Sequence, residues 1–233
     1  MLAIITGATK GIGRAITYSL ANKGYDLAIC SRNLRDLKEI KEDLEKKYPK
    51  INVLAKDTDM RKKEDVLAFS KEILSKFDTV DVLVNNAGVF ISGLTHTEEE
   101  GALEFMIETN LYSAYYLTNA LLPAMLNQHS GHIFNMCSIA SKIAYPNGGS
   151  YSISKFALYG YTKVLREELK DKGIKVTAIL PGATWSHSWA GVDLPKERLM
   201  EANDIALLIA NALELSPSAC IEDIIVRPQL GDL

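Results

Sequence analysis

The chain has 233 residues, a formal net charge of −3 and 47% hydrophobic residues, which is typical of one large soluble domain with a well-buried core. The charge balance gives no reason to expect nucleic acid as a partner, and no apolar run approaches the roughly 18 to 20 residues that cross a membrane. Three isolated cysteines, without a CxxC motif, indicate neither a disulfide framework nor a metal site. Together with the lack of a signal-peptide pattern, they favour a cytoplasmic protein.

Short apolar runs alternate with longer amphipathic stretches along the whole chain. The runs are nearly all apolar, which is typical of strands covered on both faces, and strand alternating with helix predicts a parallel sheet with right-handed crossovers. No linker or internal repeat divides the chain, so we expect a single domain over residues 1–233. The predicted strands are 2–6, 27–30, 51–55, 80–84, 132–137, 175–180 and 221–226, and the predicted helices are 12–23, 34–47, 62–76, 98–127, 151–170 and 203–215.

The segment ITGATKGIG joins the first predicted strand to the first predicted helix. Its glycines, Gly7, Gly11 and Gly13, are spaced GxxxGxG. Glycine permits a tight turn and lets the backbone approach a pyrophosphate closely, and the helix then presents free N–H groups to the phosphates. Strand, turn and helix in this order favour a dinucleotide site over a glycine-rich turn without a ligand.

The end of the second predicted strand distinguishes between the two nicotinamide dinucleotides. A NAD site usually has an acidic residue there, which binds the ribose 2′-hydroxyl. Here Ser31 and Arg32 occupy the place, and the first acid is Asp36. An arginine fork suits a 2′-phosphate, and Lys10 adds a second positive charge. We therefore expect NADP(H) in preference to NAD(H); the alternative is that both cations are solvated surface charges.

The later motifs make the pattern specific. NNAG (85–88) ends the fourth strand, Asn110 lies in the long helix, Ser138 follows the fifth strand, YSISK (151–155) opens the next helix, and PGAT (181–184) follows the sixth strand. In this order and spacing the chain resembles the short-chain dehydrogenase/reductase family over essentially its whole length. The resemblance implies an α/β fold: a three-layer Rossmann-type doubly wound sheet of seven parallel strands, order 3-2-1-4-5-6-7, with helices on both faces.

Tyr151 and Lys155 lie one helical turn apart on the same face of the predicted helix. A free tyrosine has a pKa of about 10, too high for efficient proton exchange at neutral pH. An ammonium group about 4 Å away favours phenolate by roughly 4 kcal/mol at an effective dielectric constant of about 20, enough to lower the pKa by about 3 units. Alone, the pair is also typical of a helix surface.

The resemblance implies a role for each member of this set. Tyr151 is the general acid in carbonyl reduction and the base in the reverse direction, and Lys155 lowers its pKa and binds the nicotinamide ribose. Ser138 orients the substrate carbonyl, or alternatively caps a turn. Asn110 positions a water that links Lys155 to solvent, or alternatively faces solvent.

The resemblance also implies the cofactor-binding residues, and it implies no metal. Asp57 corresponds to an acidic position that contacts adenine, with a surface loop acid as the alternative. The expected cofactor-binding residues are Thr6, Gly7, Thr9, Lys10, Gly11, Ile12, Gly13, Ser31, Arg32, Asp57, Thr58, Asn86, Ala87, Gly88, Tyr151, Lys155, Pro181, Gly182 and Thr184.

Residues 182–200 are the least regular part of the chain and are predicted to form a lid over the substrate. Trp185 and Trp189 suit a flat or apolar substrate, and together with Ser138 they are the expected substrate contacts; the alternative is that both tryptophans anchor the lid. His187 is expected to be a polar lid residue rather than a catalytic one.

Two branches of the family compete for the function. The lid and the tail EDIIVRPQLGDL resemble bacterial sepiapterin-reductase-like members, which implies an NADP(H)-dependent reductase of a small carbonyl or dicarbonyl. The glycine turn with SRN also resembles 3-oxoacyl-acyl-carrier-protein reductases. An acidic carrier protein favours a basic patch beside the site; Lys142, Lys196 and Arg198 could contribute to one, but the sequence has no dense basic cluster.

The sequence also bears on the oligomeric state of the chain, and it leaves one non-enzymatic function as an alternative. The long helix is apolar around much of its circumference, the helix from Tyr151 carries Phe156, Tyr159 and Tyr161, and the resemblance implies a homodimer or homotetramer through these two helices. The alternative is a non-catalytic dinucleotide-sensing module, which the complete Tyr/Lys pair disfavours.

Overall fold

The apolar runs of the sequence form one parallel sheet of seven strands in the predicted order, β3-β2-β1-β4-β5-β6-β7. The structure, a computed structural model, describes residues 1–144, 146–185 and 194–231. The strands are β1 (Leu2–Thr6), β2 (Asp26–Ser31), β3 (Val53–Asp57), β4 (Val82–Asn85), β5 (Gly131–Met136), β6 (Ile174–Pro181) and β7 (Asp223–Val226). The helices are α1 (Gly11–Asn22), α2 (Leu34–Lys47), α3 (Lys63–Lys76), α4 (Ala102–Ile107), α5 (Ser113–Gln128), α6 (Gly149–Leu169) and α7 (Ala202–Ala212).

Strands β1 to β6 each supply side chains to two hydrophobic cores, one on each face of the sheet. In β1, Ala3 and Ile5 enter one core, whereas Leu2 and Ile4 enter the other. Successive side chains of a strand point to opposite faces, so a strand covered on both sides has to be apolar throughout. The first core includes Ile16, Leu20, Leu37, Leu44, Ile205 and Ile209 from α1, α2 and α7, and the second includes Val66, Phe69, Leu117, Leu121 and Leu165 from α3, α5 and α6. The three-layer fold is therefore confirmed.

The long helix predicted over 98–127 is wrong in two respects. It begins only at Ala102, because Gly101 has a left-handed conformation with φ of 86°. It is also interrupted by a π-helical turn, Glu108–Tyr112, between α4 and α5. Such a turn accommodates one extra residue and changes the direction of the side chains that follow, and it often marks a functional position. Here it contains Asn110.

Two kinds of feature are absent from the described part of the chain. None of its helices is long and apolar enough to cross a membrane. Within the same ranges, no three His, Cys, Asp or Glu side chains group together as metal ligands do.

α1 packs so tightly on the turn before it that Gly13 has no room for a side chain. A Cβ at this position would lie 2.2 Å from the carbonyl oxygen of Gly7 and 2.4 Å from Nδ2 of Asn86. Gly13→Ala is therefore expected to lower the free energy of unfolding by about 3 kcal/mol, measured by denaturant unfolding. Gly24→Ala is the control: its φ is 81° with nothing within 4 Å, so only backbone strain of about 1 kcal/mol applies. Equal losses in the two variants would contradict the tight packing.

Candidate active site

A cleft of about 1310 Å³ lies where the strands of the sheet end. Because all seven strands are parallel, the loops that follow them converge on this edge. The wall is built from the β1–α1 turn, the ends of β2 to β6 and the first turns of α6. Eighteen expected site residues line it: Gly7, Thr9, Lys10, Gly11, Ile12, Gly13, Ser31, Arg32, Thr58, Asn86, Ala87, Gly88, Ser138, Tyr151, Lys155, Pro181, Gly182 and Thr184.

The glycine turn presents an open helix N-terminus to the cleft. Gly7 and Gly11 have φ of 65° and 50°, which favour glycine. The residue at the N-cap position, Lys10, does not cap α1 with its side chain, and the first turn of the helix contains no acidic residue. The first N–H groups of a helix have no partner within the helix, and they carry a partial positive charge. This end of the cleft therefore fits a pyrophosphate.

Thr6 lies behind the turn instead of in the wall of the cleft. It is buried, and its Oγ1 accepts hydrogen bonds from the backbone N–H groups of Asn86 at 3.0 Å and Ala87 at 2.8 Å. Asn86 in turn donates from Nδ2 to the carbonyl oxygen of Thr6 at 2.8 Å. Thr6 thus joins the ends of β1 and β4, and it holds in place the loop that carries Gly88.

At the end of the cleft that contains Arg32, carboxylates partly compensate the charges of the cations. Lys10 lies 3.2 Å from Asp36, an acid that also lines the cleft. Arg61, which the sequence analysis missed, donates to both carboxylate oxygens of Asp59 and holds its pKa below the usual range, with a smaller contribution from Arg32. An arginine two residues after an aspartate matches no motif, so no sequence signal could have found it.

Asp57 is exposed at the end of β3, and it is its neighbour Thr58 that lines the cleft. The backbone N–H of Thr58 donates to the carbonyl oxygen of Ser31 at 2.9 Å, which joins the ends of β2 and β3. The expected contact of Asp57 with adenine therefore stays a prediction, and Thr58 is the better placed of the two.

Lys155 is buried at the opposite end of the cleft. Only 4% of its surface is exposed, and its Nζ donates to the carbonyl oxygen of Met136 at 2.7 Å. The Nζ lies 5.8 Å from the centre of the Tyr151 ring. Burial lowers the pKa of Lys155 from 10.5 to about 8, against a smaller opposing effect of Cys137. The ammonium form therefore still predominates at neutral pH.

Asn110 is buried, so the alternative that it faces solvent is wrong. Its Nδ2 donates to the carbonyl oxygen of Val89 at 3.0 Å and to Oγ of Ser154 at 2.9 Å, and its Oδ1 accepts from the N–H of Val89 at 2.8 Å. Both amide hydrogens are used, and only Oδ1 keeps a lone pair. A Cβ on Gly88 would lie 3.2 Å from this oxygen and 3.5 Å from Nζ of Lys155, so the oxygen and the ammonium flank the same glycine.

Ser138 caps a turn and also faces the cleft. Its Oγ accepts the N–H of Ala140 at 3.1 Å, and its own N–H donates to Oγ of Ser141 at 3.1 Å, which closes the 3₁₀ turn Ile139–Ser141. Capping a turn and orienting a substrate carbonyl are therefore compatible roles for Ser138. The cap uses a lone pair of the hydroxyl, and the hydroxyl proton remains for a carbonyl oxygen in the cleft.

Tyr151 is the third residue of α6 and is half-buried. The ring of Phe90 meets its ring edge-on, with centroids 4.8 Å apart. Phe90, Ile139 and Ile143 line the cleft near Tyr151 and were all missed from the sequence. They carry no motif, and they lie on two separate connections: Phe90 follows β4, whereas Ile139 and Ile143 lie between β5 and α6.

The base of the predicted lid is described, whereas its centre is not. The backbones of Ala183 and Trp185 each bond to Met200, at 3.0 and 2.8 Å, so the segment leaves and rejoins the fold at one point. Trp185 is exposed and lies outside the cleft wall, while Thr184 lines it. Trp189 and His187 lie outside the described residues. Arg227, also missed, lines the cleft beside Gly182.

Comparison with known proteins finds relatives that match nearly the whole chain. A family model described as short chain dehydrogenase matches residues 1–194. The sepiapterin reductase of Chlorobaculum tepidum is 32% identical, over 100% of this chain and 98% of its own. A 3-oxoacyl-[acyl-carrier-protein] reductase of Staphylococcus epidermidis is 33% identical, over 89% of each chain. The solved structure of an alcohol dehydrogenase from Thermococcus sibiricus, complexed with 5-hydroxy-NADP, is 30% identical with a TM-score of 0.90, over 98% of this chain and 96% of that chain.

Lys155→Met is expected to stabilise the cofactor-free protein at pH 7 by about 1 to 2 kcal/mol. A pKa lowered from 10.5 to about 8 means that the folded state disfavours the ammonium by roughly 3 kcal/mol, and loss of the hydrogen bond to Met136 offsets about 1 kcal/mol. Because the folded-state pKa is the lower one, this cost is complete below pH 8 and disappears as the pH rises to 10.5.

Denaturant unfolding at several pH values measures the effect. The advantage of the methionine variant should shrink between pH 8 and 10.5, and Lys163→Met, at an exposed position of the same helix, should change stability by less than about 0.5 kcal/mol at every pH. A methionine variant at position 155 that is less stable than the parent at pH 7 would contradict the cost of burial.

Proposed function

The chain belongs to the short chain dehydrogenase family, and on this basis we propose that it is an NADP(H)-dependent oxidoreductase that reduces a small carbonyl or dicarbonyl compound. One observation carries the proposal: the buried ammonium of Lys155 lies 5.8 Å from the centre of the Tyr151 ring, in the same cleft as the open N-terminus of α1. A dinucleotide site and a phenol beside a cation are the two parts that reversible carbonyl reduction needs.

The residues along the cleft fit a dinucleotide. The N-terminus of α1 and the backbone of Gly7 to Gly13 would bind the pyrophosphate, and Ser31, Arg32 and Lys10 would bind the 2′-phosphate. Residues 181–184 would meet the nicotinamide carboxamide. Asp36 lies 3.2 Å from Lys10, so this ammonium would be shared between the carboxylate and the 2′-phosphate, and Arg32 would supply the further positive charge. When bound, NADPH supplies the hydride for the carbonyl carbon.

The side chains of the chain supply the proton and hold the substrate. Tyr151 donates its phenolic proton to the carbonyl oxygen, and the ammonium of Lys155 favours the phenolate that remains. Ser138 donates its hydroxyl proton to the same oxygen and so fixes its position. The free lone pair of Asn110 Oδ1 accepts a water, which returns a proton from solvent to Lys155 and Tyr151.

The surroundings of Tyr151 support a small, uncharged substrate. Phe90, Ile139 and Ile143 make this end of the cleft apolar. Lys142, a candidate for a basic docking patch, is 3.4 Å from Asp223 and is engaged in the fold.

Two alternatives remain open and are separable by experiment. The first is reduction of a 3-oxoacyl thioester, which the similarity to a 3-oxoacyl-[acyl-carrier-protein] reductase supports. The second is a dinucleotide-sensing module without turnover. The Tyr151/Lys155 pair argues against the second, because a module that only binds a dinucleotide needs no phenol beside a buried ammonium.

A homo-oligomer is part of the proposal. Large apolar side chains are exposed on neighbouring surfaces of the π-helical turn, α5 and α6, which a second copy of the chain would cover. They are Tyr112, Tyr115, Ile153, Phe156 and Val164.

The first experiment measures NADPH oxidation with sepiapterin, small α-diketones and an acetoacetyl thioester. The proposal expects turnover of the pterin or the diketones, and loss of more than about 100-fold in Tyr151→Phe with unchanged NADPH binding, because the phenolic proton is the general acid. Preference for the thioester would support the first alternative. Bound NADPH without any turnover would support the sensing module, and full turnover by Tyr151→Phe would refute the role of the tyrosine.

Arg32→Gln tests the preference for NADPH. A charge-assisted hydrogen bond contributes roughly 1.5 to 3 kcal/mol, so the dissociation constant for NADPH should rise about 10- to 100-fold, while that for NADH changes less than about twofold. Both constants are measured by quenching of protein fluorescence. Lys38→Gln removes an exposed cation of α2 outside the cleft and is the control. Equal weakening of NADPH and NADH by Arg32→Gln would contradict the contact with the 2′-phosphate.

A further inference from the structure

The segment from residue 88 to residue 98, which we call the strap, connects β4 to the start of α4 and passes over the beginning of α6. Most of its side chains are exposed, including Phe90, Ile91 and Leu94. Glu98 differs, because its carboxylate points back to α6 and is half-buried. None of the roles proposed above uses this residue.

Glu98 caps α6, the helix that carries Tyr151, although it precedes its partner Ser150 by 52 residues in the sequence. Its Oε1 accepts the backbone N–H of Ser150 at 2.9 Å, and its Oε2 accepts the hydroxyl of Ser150. Ser150 is the second residue of α6, and the residue at the N-cap position, Gly148, has no side chain with which to cap the helix. A carboxylate here satisfies an N–H group that lacks a partner within the helix and also opposes the helix dipole.

The Glu98 carboxylate is packed so closely that neither Gly93 nor Gly149 could carry a side chain without a clash. A Cβ on Gly149, where φ is 24°, would lie 2.1 Å from Oε1 of Glu98 and 2.6 Å from the carbonyl oxygen of Gly93. A Cβ on Gly93 would lie 2.6 Å from Cγ of Glu98. The N–H of Gly93 also donates to the carbonyl oxygen of Asn147 at 3.0 Å. Two glycines therefore enclose the carboxylate and allow the strap to approach the helix closely.

The strap is held at two further points, both next to the proposed catalytic residues. Val89 forms two hydrogen bonds with Asn110, and the ring of Phe90 meets that of Tyr151 edge-on. Tyr151 directly follows Ser150, so the turn that Glu98 holds is the turn that carries the phenol. A shift of this turn would move the phenol relative to Ser138, which lies at the start of the β5–α6 connection and caps its 3₁₀ turn.

We propose that Glu98 is a positioning residue, which sets the location of Tyr151 by fixing the first turn of α6 to the strap. The inference rests on the proposed function, because it assigns the purpose of the contact to the reaction at Tyr151. Glu98 does not line the cleft. Its removal should therefore slow the chemical step and leave cofactor binding unchanged, since misplacement of a reacting group by a fraction of an ångström is costly to the rate.

The test compares Glu98→Ala with Glu99→Ala and Glu100→Ala, which remove exposed carboxylates from the same stretch. Glu98→Ala is expected to lower kcat at least about tenfold with the best carbonyl substrate, while the dissociation constant for NADPH stays within about twofold and Tm falls by only about 2 to 4 °C. Both neighbouring variants should match the parent protein. Glu98→Gln should restore most of kcat, because its amide oxygen can accept the N–H of Ser150 and its amide nitrogen can donate to the Ser150 hydroxyl.

A second measurement does not depend on turnover. Amide hydrogen exchange over residues 149–155 should be faster in Glu98→Ala than in Glu99→Ala, because the first turn of α6 loses its cap. Unchanged exchange of residues 149–155 in Glu98→Ala would overturn the inference. A lower Tm of this variant with unchanged kcat would also overturn it, and so would loss of NADPH binding together with loss of kcat. Failure of the proposed function looks different: the parent protein then turns over no carbonyl substrate, or Tyr151→Phe keeps full activity, while the exchange comparison still decides whether Glu98 fixes the turn.

Discussion

Burial of the Lys155 ammonium is the interaction on which the proposed site depends. A lysine with 4% of its surface exposed destabilises the fold unless a partner compensates the charge, and the described structure offers it one carbonyl oxygen, that of Met136. The burial arises because α6 packs against the ends of β5 and β6, so the helix that carries the phenol also encloses the cation. Stability is thereby given up at the place where charge is useful, as expected of a catalytic site rather than a binding surface.

A series of hydrogen bonds between buried amide and hydroxyl side chains stabilises this arrangement. Asn85 at the end of β4 donates to Thr118 of α5 and to Asn135 of β5, and Asn135 donates to Thr162 of α6. The chain of bonds thus joins two strands to the two helices that flank the proposed catalytic residues. A buried network of this kind has few alternative arrangements, because any shift leaves a polar group without a partner. It fixes α6 at its middle, and the contact of Glu98 with Ser150 fixes it at its beginning.

Charge is distributed unevenly along the cleft. The end near Arg32 is lined by Lys10, Arg32, Arg35 and Arg61 together with two carboxylates, Asp36 and Asp59, so the cations outnumber the acids there. The end near Tyr151 is lined by aromatic and aliphatic side chains. This polarity matches a ligand that is anionic at one end and a substrate that is neutral at the other.

The sequence by itself predicted the alternation of strands and helices, the glycine turn and the proposed catalytic set, because each of these depends on local patterns: apolar runs, glycine spacing and motifs at the ends of strands. The strand order followed from the family resemblance that these motifs carry, and the structure has the same order. It also led to errors where the outcome depends on distant contacts. The interruption of the long helix at Asn110, the approach of Phe90 to Tyr151 and the cap that Glu98 provides could not be predicted, because each pairs residues more than 20 positions apart or depends on how a neighbouring loop packs. Only the tertiary structure decided these contacts, since the free energy that selects them comes from burial and hydrogen bonding between elements and leaves no local pattern in the chain.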